Sequence, residues 1–157
     1  MKLWIKIVIG IATVLVIFSG TVLYLSQFHL DLSQDYRSVN GYENIVFKDN
    51  GNRQCFRLCA WGLVKTGAID GFENHRNPDR NSNEFQLIIE NTYARERDIW
   101  QVVPSPDGRC ILYVEIIYSG SGLTDDEDVY YKVYSIDDGT TITIYSGYRQ
   151  YLLVDWK

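Results

Sequence analysis

Residues 104–115 read PSPDGRCILYVE, and how this stretch is read decides the fold. Asp107-Gly108 is a strong tight-turn signal, and Pro104 and Pro106 keep the chain before it out of a helix. The run that follows alternates. Leu112, Val114 and Ile116 fall on one face of an extended chain, and Tyr113 and Glu115 fall on the other. The stretch therefore predicts a turn feeding a strand, with one face packed and the other at least partly wet.

Downstream, the pattern repeats. CILYVEIIY, DVYYKVYSI, TTITIYS and QYLLVDW are β-branched or aromatic runs, parted by SGSGLTDDE, DDG and GYR. Runs of that kind between turn compositions predict an antiparallel meander. Upstream, ENIVFK reads as a strand, and Asn50-Gly51 after it as a hairpin turn. In RQCFRLCAWGLV, Phe56, Cys59, Ala60 and Leu63 recur at helical spacing, but the hairpin signal before it favours strand. GFENHRNPDRNSN, dense in Asn, Asp, Gly and Pro, is the longest loop. EFQLIIENTY and RDIWQVV complete the set as further strands. The fold class expected is mainly β: an N-terminal transmembrane helix followed by one antiparallel meander or sandwich-like domain.

Ser105-Pro106-Asp107-Gly108-Arg109, then ILYV, then a second strand ending in YSIDDGT, resembles one repeat of the TolB-like and WD40-like propellers over residues 104–147. The resemblance implies the local hairpin geometry of a blade. Ring closure does not carry over, because a propeller needs at least about four blades and SPDG occurs once.

The N-terminal segment IVIGIATVLVIFSGTVLYL begins at Ile7, and no charged residue occurs from Ile7 to Phe28. A helix of that length, rising about 1.5 Å per residue, can cross a hydrocarbon core of roughly 30 Å. A cleaved signal peptide is the rival reading. It has a shorter apolar part and a small-x-small cleavage site, whereas Ile17 and Phe18 precede Ser19 and Gly20 here. Lys2 and Lys6 precede the span, and Asp31 and Asp35 follow it, so the positive-inside rule places the N-terminus in the cytoplasm. The reading is residues 1–28 as anchor, 29–41 as stalk and 42–157 as a periplasmic or extracellular domain.

Composition bounds the rest. The 157 residues are 46% hydrophobic and 22% charged, room for one globular domain beyond the anchor. Of 15 basic residues two precede the run, whereas all 20 acidic residues follow it. Such an acidic domain is a poor nucleic-acid binder, since phosphate needs clustered Lys and Arg. Outside the cytoplasm Cys55, Cys59 and Cys110 could hold one disulfide. On one strand Cys55 and Cys59 lie about 13 Å apart, too far to bond, which leaves Cys110 with one of them; three reduced thiols are the alternative.

Catalytic signatures are absent. His75 stands in no recognisable context, and no nucleophile elbow, zinc-binding helix motif or phosphate loop occurs. Asp79, Asn81, Asn83 and Glu90 fall at calcium-loop positions, but Glu84 stands where that loop needs Gly. No metal or cofactor is expected. Of 12 tyrosines, most fall in the C-terminal runs, and Tyr offers large rigid contact area with a polar tip. Tyr113, Tyr118, Tyr130, Tyr131 and Tyr134 are the candidate binding residues, joined by the acidic stretch Asp125, Asp126, Glu127 and Asp128. The function expected is a membrane-anchored binding domain acting on a protein partner, as an inhibitor or immunity-type protein. The alternatives are a small hydrolase or ligand-processing enzyme, or an accessory subunit of an envelope complex.

Overall fold

A computed structural model describes residues 13–17, 31–51, 54–119, 126–149 and 151–157. The chain divides into two compact units, residues 1–30 and 31–157. In the first, residues 13–17 are helical and Val14, Leu15, Val16 and Ile17 are exposed. Among the described residues no helix is long and apolar enough to cross a membrane. Most of the span expected over residues 7–28 lies outside the described residues.

The second unit is built from two antiparallel sheets. The first is five-stranded, with order β1-β8-β7-β6-β5. Its strands are β1 (Asp31–Leu32), β5 (Ile99–Pro104), β6 (Cys110–Ser119), β7 (Asp126–Ser135) and β8 (Thr141–Tyr148). The second is four-stranded, β4-β3-β2-β9, from β2 (Ile45–Asp49), β3 (Cys55–Cys59), β4 (Gly62–Thr66) and β9 (Leu152–Trp156). The Ser105–Arg109 turn sets the register of the β5–β6 hairpin, pairing Pro104 with Ile111. Ser105 accepts the Cys110 N–H at its Oγ and donates that hydroxyl to Asp107, and Gly108 takes φ +70°. A left-handed residue at that position is why glycine is used there.

Alternation along β6 sorts the core into two layers. Leu112 and Val114 face the second sheet, paired across β7 with Val133 and Tyr131. There the Tyr131 and Tyr145 rings stack at 4.6 Å, and Phe47 of β2 meets both edge-on at 5.7 and 6.0 Å. Ile111 and Tyr113 face the opposite way and are equally buried. The cover on that side is α1 (Asn83–Asn91), whose Phe85 and Ile88 pack with Ile99, Val102, Ile111, Tyr113 and Tyr134.

This corrects the sequence reading in two places. EFQLIIENTY is helix rather than strand: Ser82 caps it by accepting the Phe85 N–H, and Phe85 and Ile88 stand one turn apart. The apolar stretch had suggested strand, but its burial is on one stripe only. The C-terminal runs are not one four-stranded meander either, for β6, β7 and β8 follow one another while β9 crosses to the second sheet beside β2. Of RQCFRLCAWGLV, read as strand, the described residues are extended as expected, in two strands that fold back as the hairpin of β3 and β4.

The long loop covers the outer face of the second sheet over β2 and β9, while Arg57 of β3 and Val64 of β4 on the same face are exposed. Lys48 sits 5.4 Å over the Phe72 ring, and Asp155 of β9 accepts the Glu73 N–H. Residues 31–41, read as stalk, pack onto the unit: β1 pairs with β8, Tyr36 and Val39 are buried, and the Tyr36 hydroxyl donates to the Cys59 carbonyl at 2.8 Å. Trp156 Nε1 donates to the Gly41 carbonyl from the other end of the chain.

Candidate functional site

The expected site residues separate by depth. Tyr113, Tyr131 and Tyr134 are buried and pack the core. Desolvation pushes the Tyr113 hydroxyl up to about 12 and that of Tyr131 well above its ordinary value. Both therefore stay neutral at any physiological pH. Tyr118 is exposed, Tyr130 is half-buried, and Asp126, Glu127 and Asp128 are partly exposed at the start of β7. Asp125 lies outside the described residues.

The β6–β7 ladder brings the acidic stretch beside Tyr118, pairing Ile117 with Asp128, Tyr118 with Glu127 and Ser119 with Asp126. Asp126 accepts the Tyr148 hydroxyl at 2.7 Å. Farther along the helix-facing side, the buried Glu115 is held in an ion pair by Lys132, whose Nζ also lies 5.2 Å from the Tyr130 ring.

Beside this end of β6 lies a groove of about 590 Å³ lined by Tyr93, Arg95, Arg97, Asp98, Ile117 and Tyr118. Tyr93 follows α1 and is fully exposed, and Arg95 precedes and Arg97 lies on the short 3-10 segment Glu96–Asp98 that leads into β5. Sequence reasoning singled out Tyr118 and missed the other lining residues. The alternation of Arg95 and Arg97 just after Tyr93 was the available signal, but only the tertiary fold carries that link to β6.

His75 has a partner that the sequence did not reveal. Its Nε2 lies 3.2 Å from Asp155 Oδ1, and the same carboxylate accepts the Glu73 and Trp156 N–H groups and an ion pair from Lys157. Burial alone would raise the Asp155 carboxyl, but these donors outweigh it and hold it below the ordinary value. Among the described residues no hydroxyl or thiol hydrogen-bonds to His75, so the pair has the geometry of a pin holding the long loop to β9. The three cysteines are free thiols. Burial, then Asp107, Asp137 and Asp138, push the Cys110 thiol up, away from the nucleophilic thiolate. No group of three or more His, Cys, Asp or Glu side chains is arranged to hold a metal among the described residues. Asn83, Glu84 and Glu90 of the calcium-loop pattern lie on α1.

The fold and site together define a two-sheet antiparallel β domain, one outer face covered by a helix, with an aromatic and arginine-lined groove at a strand end. Comparison of the chain with family models, curated proteins and solved structures finds no match.

Proposed function

We propose that the protein is a single-pass membrane protein whose acidic β domain binds a protein partner outside the cytoplasm, in the manner of an inhibitor or immunity factor. The observation that carries the binding reading is the groove: exposed Tyr93 and Tyr118 beside Arg95 and Arg97. Tyr and Arg are the residues that binding hot spots favour, and Tyr93, Ile117 and Tyr118 gather exposed apolar surface in one place, as interaction sites do. The anchor reading is supported by the charge-free run from Ile7 to Phe28 and by the outward-facing side chains Val14 to Ile17, an arrangement that lipid favours over water.

The test is capture from the native envelope with the full chain in detergent, alongside a variant carrying Tyr93→Ala and Tyr118→Ala. A specific partner retained by the parent chain and lost by the variant is the expected result. Recovery of the intact chain in the soluble cytosolic fraction would overturn the anchor, and equal capture by both chains would remove the groove from the binding surface.

A further inference from the structure

The groove runs along an unpaired strand edge, and the geometry points to docking by strand addition: an extended, acidic segment of the partner pairs with the Ile116–Ser119 end of β6. This rests on the binding reading above and names its mode.

Three observations carry it. First, β6 is longer than its neighbour. Its last partner on β5 is Glu115, opposite Ile99, and β5 is interrupted there by a register shift between Ile99 and Gln101. Beyond Glu115, β6 continues to Ser119 paired with β7 alone. On the β5 side of Ile116–Ser119 no strand follows, and among the described residues these positions make no backbone hydrogen bond outside the ladders.

Second, the lining shows that the groove follows the edge. Ile117 and Tyr118 are successive strand residues and point to opposite faces of the sheet. A concavity touching both lies along the strand's rim, where a peptide backbone would sit with side chains falling alternately against Ile117 and Tyr118. Strand addition works in this way, main-chain bonds giving affinity and pockets for alternate side chains giving specificity.

Third, the molecule closes a comparable edge elsewhere. The outer rim of β9 is capped by side chains from the first sheet: Leu152 N–H donates to Tyr131 Oη at 2.7 Å, and Val154 N–H to Gln101 Oε1 at 3.1 Å. Among the described residues no side chain caps the rim of β6 beyond Glu115 in this way: the 3-10 segment Glu96–Asp98 comes near it without pairing, and Ile117, Tyr118 and Ser119 are exposed. Edge strand β4 carries Lys65, the sort of charge that keeps edges apart.

Charge selects the occupant. Arg95 and Arg97 line the β5 side of the rim, where an added strand would lie, and of the lining residues only Asp98 answers them, 3.6 Å from Arg97. The carboxylates of Asp126, Glu127 and Asp128 stand across β6 on β7, where Asp126 is engaged by Tyr148 and Arg149. A second copy of this chain would bring its own Arg95 and Arg97 to the shared rim, whereas a segment alternating carboxylates with β-branched residues is complementary to it.

The experiment is amide hydrogen exchange on the full chain in detergent, with the blocked peptide acetyl-EVEVEV-amide as probe and acetyl-KVKVKV-amide as control. Cys110 turns its N–H and C=O toward the β5 side, so by alternation the free backbone groups of the overhang are those of Ile116 and Tyr118. The acidic peptide is expected to slow exchange at these two amides by on the order of tenfold or more. That protection should vanish in the Arg95→Glu, Arg97→Glu double variant, whose exposed substitutions leave the core untouched. Equal protection by the basic peptide, protection at β4 instead, protection that grows with protein concentration before peptide is added, or none at millimolar peptide would each overturn the proposal. A captured partner whose footprint omits Ile116 and Tyr118 sinks this docking mode and leaves the binding function standing. Protection by the acidic peptide when no partner can be captured does the reverse.

Discussion

Gln101 is fully buried, and its amide joins the two sheets: Nε2 donates to the Leu152 carbonyl at 3.0 Å and Oε1 accepts from Val154 N–H. Replacing it with leucine keeps the volume but leaves the Val154 N–H without an acceptor. A buried donor left unsatisfied costs about 1–3 kcal/mol, so Gln101→Leu should lower the urea midpoint by that equivalent with an unchanged slope. Asp155 makes a prediction about pH. Its carboxyl is held below the ordinary value in the folded protein, so its contribution is fully present above the unfolded-state value near 3.8. That contribution is lost as pH falls through the lower, folded value. Asp155→Asn should therefore be less stable than the parent at neutral pH, and the gap should narrow in acid; melting curves across that range test it. Neither role was legible in the sequence. A Gln in a strand pattern and an Asp near the C-terminus look like ordinary surface residues until β9 is placed beside β5 and the long loop.

At the scale of elements, α1 is where local pattern and fold disagreed. Its residues are apolar enough for a strand, and only the Ser82 cap and the Phe85–Ile88 spacing mark a helix. Ser82→Ala removes the acceptor for the Phe85 N–H and should cost about 1 kcal/mol. Ile88→Ala, in contact with the outer layer of the first sheet, should cost about 2–5 kcal/mol. Chemical denaturation measures both, and a cost for Ile88→Ala no greater than for Ser82→Ala would mean that α1 is not packed on the sheet. The Ser105–Arg109 turn went the other way. Its residues dictate a tight, hydroxyl-braced reversal through contacts a few positions apart, so its place between two strands was readable in advance.

For the whole molecule, the crossing of β9 matters most. The chain leaves β8 in the first sheet and ends in the second, where β9 pairs along the length of β2 from Ile45↔Trp156 to Asp49↔Leu152. Both ends of the unit depend on it, since Trp156 and Lys157 bond to the Gly41 and Asn44 carbonyls. Deleting residues 152–157 should abolish the cooperative fold rather than trim it, seen as loss of amide dispersion in NMR spectra and of the near-ultraviolet circular dichroism of the buried tyrosines. A shortened chain that still unfolded in one sharp transition would show that the sheets do not need this strand.

What the sequence determined by itself is what depends on neighbours in the chain: the charge-free N-terminal run, the period-two strands, the Asp-Gly turn and the predominance of β structure. Tertiary structure decided which face of each strand is covered, that α1 caps one sheet, that β9 changes sheets, that Tyr113 and Tyr131 are core while Tyr118 is surface, and that Tyr93, Arg95 and Arg97 meet β6. The reason is physical. Turn geometry and side-chain alternation are fixed within a few residues, whereas burial and strand partnership depend on which distant segment supplies the opposing surface.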